Sequence, residues 1–449
     1  MDASTTVNVT ELIDGRKVGV QQFAIILMCG LVALLDGFDT QSIGIAAPHI
    51  AGALGIPRPA LALVFSAALF GAMTGALVLG PVSDRLGRRK VLIFATVLFA
   101  LFTAATAQAT NYETLLAYRF IAGVGLGGAT PCFIALTAEY APARLRSALV
   151  SVMWAGFPLG GVIGGLVNPH LIEAFGWRAV FYLGGALPLL LTVVLVFLLP
   201  ESLRFLVTKG APTETIRRTL ARIAPEEARS ASSFFVTETQ TGSASPRKLF
   251  SEGRAWPTGL LWVTFFGSFL ILVFIPLWAP TLLLGPGRLT ATGAALVVAM
   301  SNLGSAIGTA SFGRLLDRFG AGKVLIAAYV LGALFVTGVG LGGASVAVPV
   351  VCAFFAGLLV GGGSAGAIAL AATFYPTEIR STGIGWGMAM GRLGQVVGPF
   401  VAGALLAVGW EADRIFPVIS LFALVCALSV VVLVGRERKA ALQLAKAAG

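Results

Sequence analysis

Twelve stretches of this chain are each long and apolar enough to cross a lipid bilayer, which leaves very few folds open to it. They run approximately over residues 20–47, 59–80, 90–108, 113–138, 147–169, 178–199, 256–284, 292–313, 323–342, 346–374, 382–408 and 414–434. Inside hydrocarbon the backbone has no water to bond. A spanning segment must therefore be a helix or a strand of a closed barrel. A helix needs about 20 residues to cross and a barrel strand about 10, and these stretches have the helical length. Only 11% of the residues are charged, where a soluble domain carries about a quarter. The expected fold class is an all-α membrane protein with twelve transmembrane helices.

The basic residues give an orientation. The chain has 31 Lys and Arg and a net charge of +11. In a soluble protein that excess would suggest nucleic acid. Here 25 of the 31 fall in the two tails, the central polar stretch and the even-numbered connections. Arg58, Arg178, Arg288 and Arg414 fall on the other side, and Arg119 and Arg392 stay within helices. Basic loops remain in the cytoplasm. Both termini are therefore expected there, with the chain in the inner (plasma) membrane, the bilayer as partner and no nucleic acid. The expected divisions are a tail over 1–19, a six-helix bundle over 20–199, a cytoplasmic loop over 200–255, a second bundle over 256–434 and a tail over 435–449. Met1–Gly19 carries five charged residues and no small-residue cleavage site, so the first apolar stretch reads as a retained helix and not a secretion signal. In the central loop, Ile216, Leu220 and Ile223 at helical spacing predict a short amphipathic helix over Thr213–Ala224.

The chain contains itself twice. Gly80–Ile93 (GPVSDRLGRRKVLI) and Gly313–Ile326 (GRLLDRFGAGKVLI) agree at eight of fourteen positions, at an offset of 233. Arg146-Ser147 and Leu159-Gly160-x-Val162-x-Gly164 recur at Arg380-Ser381 and Leu393-Gly394-x-Val396-x-Gly398, at an offset of 234. Both copies fall on the cytoplasmic side, so the two six-helix repeats are parallel. That duplication fits carriers with a site between the repeats at mid-membrane.

Against this apolar background the charged intramembrane residues are the functional candidates, because such groups normally face a protein interior or a water-filled path. Asp36 and Asp39 lie one turn apart on one helix face, with Gly37 between them to allow close approach of backbone or substrate. Asp39 is eight residues before residue 47, and Arg119 six residues into the fourth stretch. Each is then roughly 10 Å from the outer surface. A buried Asp–Arg pair there would act as a proton switch or as a permanent bridge. Arg392 lies about mid-membrane with no acid of its own half at that depth, which invites a carboxylate ligand held in bidentate fashion. Phe38 and Trp386 are candidates to sandwich a planar substrate. Asp84, Arg85 and Arg88, with Glu139, and their counterparts Asp317, Arg318, Glu378 and Arg380, form charge networks at cytoplasmic helix ends and read as gating residues.

The loop Gly80–Lys90 and its degenerate copy Gly313–Lys323 resemble the signature loop of the major facilitator superfamily, and Arg119-x-x-x-Gly123-x-Gly125 resembles its arginine motif. Within it, LLDGFDTQSIGIAAP (Leu34–Pro48) resembles the aromatic acid:proton symporters, supported by Glu139, by Tyr375–Arg380 and by Arg392. The resemblance covers essentially the whole chain. It implies import of a benzoate- or hydroxybenzoate-class acid with protons, by alternating access. It also implies transport roles for Asp36, Asp39, Arg119, Glu139, Arg380 and Arg392. A histidine that some members carry after the second Asp-Arg is absent, since FGAG stands at Phe319–Gly322.

Pro200–Leu206 (PESLRFL) resembles sugar porters, so a proton-coupled sugar or polyol carrier, or another organic-anion porter, is the alternative. A sensor built on a carrier fold would need a large cytoplasmic domain. The four cysteines fall in separate helices without metal or redox spacing. No nucleophile–base pair or metal cluster is expected, hence no enzyme, no cofactor and no metal. A monomer is compatible with everything above.

Overall fold

The computed structural model describes residues 5–236, 246–251, 253–285, 288–342, 345–376 and 378–447, with backbone alone at residue 5 and over 436–447. The twelve spanning helices are α1 (Val20–Leu54), α2 (Arg58–Leu86), α3 (Arg88–Thr106), α4 (Tyr112–Tyr140), α5 (Arg146–Phe175), α6 (Trp177–Leu198), α7 (Ala255–Leu283), α8 (Ala291–Phe319), α9 (Ala321–Gly340), α10 (Ala347–Phe374), α11 (Arg380–Ala407) and α12 (Ala412–Gly435). Four outrun their expected ends: α1 reaches Leu54, α2 Leu86, α5 Phe175 and α8 Phe319. Hydropathy marks where lipid stops, but a helix goes on as long as its hydrogen bonds do. In α1 it continues through Pro48. α2 and α8 end alike, at Gly87 (φ 108°) and Gly320 (φ 85°), matching positions of the sequence repeat. That backbone region suits glycine alone, which explains why both copies keep it. α5 is interrupted at Ala155, between Arg146–Trp154 and Gly156–Phe175.

The repeat is also visible in the packing. Gly71 and Gly75 of α2 bring that helix against α4, where a Cβ would sit 2.1 and 2.0 Å from the carbonyl oxygens of Phe120 and Val124. Their counterparts Gly304 and Gly308 bring α8 against α10, at 2.0 and 2.1 Å from those of Phe354 and Leu358. Likewise Gly160 meets Leu34 and Gly394 meets Phe266. Small residues at these positions let backbones touch where lipid supplies no hydrophobic drive.

The chain divides into two compact units. One comprises Met1–Thr40, Ala67–Gly160 and Arg178–Gln240; the other comprises Gln41–Ser66, Gly161–Trp177 and Thr241–Gly449. α1, α2 and α5 thus pass from one unit to the other part-way along. The first core gathers Leu92, Phe99, Leu126, Phe133 and Leu195, and the second Leu261, Phe265, Tyr329, Leu370 and Val430.

The amphipathic helix of the central loop spans Thr213–Ala221 and buries Ile216 and Leu220 in the first core. A second short helix follows at Pro225–Ser230. Two strands were not foreseen: β1 (Thr5–Asn8) pairs in parallel with β2 (Ala231–Phe235). Behind β1, Asp14 accepts from the Ala143 amide (2.8 Å) and from Arg146 (3.3 Å), and Arg16 pairs with Glu227 at 3.1 Å. The N-terminal segment is thereby tied to the central loop and to the α4–α5 turn.

Candidate functional site

The first unit holds one ion pair that is completely buried. Oδ1 of Asp39 accepts from Nη1 of Arg119 at 3.1 Å, and Oδ2 accepts from Nη2 at 3.0 Å. Their side chains are 1% and 0% exposed. The bidentate fork is the strongest geometry this pair can adopt. Thr103 of α3 adds a third bond, donating to Oδ1 at 2.9 Å. The Phe181 ring lies 5.9 Å from the guanidinium carbon, within cation–π reach. Nε of Arg119 is buried without a partner among the described residues.

Along its own helix Asp39 stands fifteen residues, about 22 Å, from the end of α1 at Leu54, and Arg119 stands seven residues, about 10 Å, from the start of α4 at Tyr112. Asp36 is also buried, and it accepts from Thr40 at 3.2 Å. The two carboxylates therefore differ in surroundings, although they share a helix face.

The other ligand candidates belong to both units. Phe38 is buried in the first unit beside Gly184 of α6. Trp386, in the second unit, is 43% exposed and stacks on Trp262 of α7, with ring centroids 5.8 Å apart. Arg392 is half-buried on α11.

The charge cluster at the α2–α3 turn of the first repeat forms a chain of ion pairs. Arg88 binds Glu139 at 2.9 Å and Asp84 at 3.2 Å. The Arg88 and Glu139 side chains are mostly buried, while that of Asp84 is 69% exposed. Ser202 donates to Glu139. Glu201 accepts from the backbone N–H of Arg89 (3.0 Å), placing an anion at the start of α3, where the helix dipole favours one. The bare face of Gly87 makes room for that carboxylate. Arg85 is exposed. In the second repeat Asp317, Arg318 and Glu378 are exposed, and Arg380 donates to the Tyr375 carbonyl at 3.4 Å.

Thr103, Phe181 and Glu201 were not singled out from the sequence as site residues. Thr103 carries a signal in retrospect, as a hydroxyl amid FALFTAAT. Threonine is nevertheless common enough in membrane helices that only the fold identifies its partner.

The sequence pattern of the Major Facilitator Superfamily matches residues 29–288 and again 284–449. The chain is 40% identical to the 4-hydroxybenzoate transporter PcaK of Pseudomonas aeruginosa over 92% of its own length and 93% of that protein's. It is 37% identical to a gallate transporter of Pseudomonas putida, covering 94% of each. Among solved structures it is similar to a D-xylose-proton symporter, with a TM-score of 0.72 and 21% identity, covering 92% of this chain and 97% of that one.

Proposed function

The chain belongs to the major facilitator superfamily, in its aromatic acid transporter family, and from that premise we propose that it imports an aromatic carboxylate of the benzoate or hydroxybenzoate class with protons, by alternating access. The observation that carries this reading is the buried Asp39–Arg119 fork. Protonating Asp39 removes its charge and loosens the fork. Arg119, which already has one donor to spare, then becomes available to an anion. Losing the proton restores the pair. Asp36 serves as a second carboxylate on the same face.

In this reading the two repeats, 20–199 and 256–434, rock about a site between them, with the 200–255 loop and both tails in the cytoplasm of an inner-membrane carrier. Arg392 holds the substrate carboxylate, and Phe38 and Trp386 flank its ring. Arg85, Arg88, Glu139 and their second-repeat counterparts Asp317, Arg318, Glu378 and Arg380 act in gating. The likeness to the xylose carrier is one of fold, and the buried Asp39–Arg119 fork suits a proton and an anion better than a neutral sugar. Proteoliposome uptake of labelled 4-hydroxybenzoate, gallate and benzoate, with and without an inside-alkaline pH gradient, tests the proposal. Gradient-independent uptake, or no uptake of any aromatic acid, would sink it.

Two predictions follow for the binding and gating roles. Arg392→Lys keeps the charge and loses the planar fork. Binding should weaken by about 1.5–3 kcal/mol, the range for a hydrogen bond to a charged group. Unchanged affinity in the solubilised variant would move the carboxylate elsewhere, with Arg119 next in line. Asp84→Asn should slow initial uptake less than about fivefold, since exposed ion pairs contribute about 0–1 kcal/mol, and should barely alter equilibrium binding. Complete loss of binding in folded protein would contradict a gating role.

A further inference from the structure

α1 carries a second polar pairing two residues beyond Asp39, about 200° around the helix. Gln41 Nε2 donates to Asn302 Oδ1 at 2.7 Å, and Asn302 Nδ2 donates back to Gln41 Oε1 at 3.1 Å. Asn302 also donates to the Val298 carbonyl of its own helix at 2.9 Å, which fixes the amide plane. Both residues are 5% exposed. Gly161 of α5 closes over the pair, since a Cβ there would lie 2.7 Å from the Asn302 amide carbon.

The same neighbourhood continues along α1. Ser42 accepts from Asn168 at 2.7 Å, and Gly44 abuts the Pro276 carbonyl of α7. Ser66 of α2 donates to the Val396 carbonyl of α11 at 2.9 Å. Gln41–Ser66 and Gly161–Trp177 come from the first sequence repeat, yet they lie in one compact unit with α7, α8 and α11 of the second. All of these bonds are uncharged.

We propose that the Gln41–Asn302 carboxamide pair is the latch of the outer gate: it joins α1 to α8 on the side of Asp39 away from the tails and parts when substrate enters. The proposal rests on the carrier reading above, because an alternating-access protein must break such contacts in every cycle. Carboxamides suit this work. Each offers a donor and an acceptor, so two of them close with two bonds and no net charge. Parting them takes up no proton, which leaves pH dependence to Asp39 on the opposite face of α1. Two neutral bonds exchanged for bonds to water bias an equilibrium by about ten- to a hundredfold. That is enough to hold a gate and not enough to lock it.

The test is accessibility. His49→Cys, in a Cys352→Ala background, places a thiol in the small cavity lined by Ile45, Pro48, Pro169 and Pro280. Labelling is followed with a membrane-impermeant maleimide in right-side-out vesicles. Asn302→Ala and Gln41→Ala should each raise the labelling rate at least about tenfold. The double variant should go no further, and the exchanged pair Gln41→Asn with Asn302→Gln should return toward the parent rate. Asn302→Ser serves if the alanine variant does not accumulate. An unchanged rate in correctly folded single variants, or a rise seen only in inside-out vesicles, would overturn the latch. Labelling needs no substrate. A failed uptake panel with raised labelling would therefore sink the substrate assignment and leave the latch standing, and the converse result would do the opposite.

Discussion

Asp39→Asn should abolish accumulation of substrate driven by a proton gradient while leaving counterflow exchange measurable. The carboxylate accepts three hydrogen bonds, two from Arg119 and one from Thr103. An amide of the same size has one acceptor oxygen, and its NH2 turns donors toward a guanidinium that has only donors. It also carries no exchangeable charge. Breaking a buried ion pair from one side costs about 3–5 kcal/mol, because the remaining charge stays in low dielectric. Lower yield is therefore expected alongside the lost coupling, and the neutral double variant Asp39→Asn with Arg119→Gln separates the two effects. It should recover yield without recovering accumulation. Gradient-driven accumulation at the parent level in either variant would remove Asp39 from the coupling step and turn attention to Asp36.

Gly37→Ala should lower the thermal midpoint of the solubilised protein sharply, and larger side chains should prevent folding. Its missing Cβ would lie 1.8 Å from the Phe157 carbonyl oxygen of α5. Ordinary carbon–oxygen contacts begin near about 3.3 Å, so α1 and α5 would have to move apart by about 1.5 Å. Gly160 returns the contact, with its own Cβ position 1.9 Å from the Leu34 carbonyl. Neither helix can therefore yield alone. Overpacking of this kind costs about 1–3 kcal/mol and occasionally more. Gly52→Ala is the internal comparison: it lies in the same helix with nothing within 4 Å, and alanine there should stabilise by about 0.5–1 kcal/mol. Equal melting temperatures for the two variants would show that the α1–α5 seam gives way more easily than its geometry implies.

The helices were legible because a bilayer leaves the backbone so little choice; their ends were not. The first apolar stretch was bounded at residue 47, yet α1 passes through Pro48 and on to Leu54. The Asp39–Arg119 pair could be anticipated because charges at that depth must find each other. Gln41 and Asn302 could not, since neutral amides are tolerated in membrane helices and their 261-residue separation carries no local pattern. Gly37 was read as a site of close approach, and the partner it admits is the backbone of Phe157. Asp84 sits in the most recognisable motif of the chain, yet it is the exposed end of its network, and Arg88 and Glu139 form the buried part.

The parallel pairing of β1 with β2 sets a timetable for biosynthesis. Residues 5–8 leave the ribosome long before the strand they join, which ends at Phe235. The six apolar helices α1–α6 are therefore made before residues 5–8 have their strand partner. When they do dock, the ends of the first repeat are tied together. Nascent chains stalled shortly after residue 235 would already contain every partner of this knot, whereas chains stalled after α6 would not.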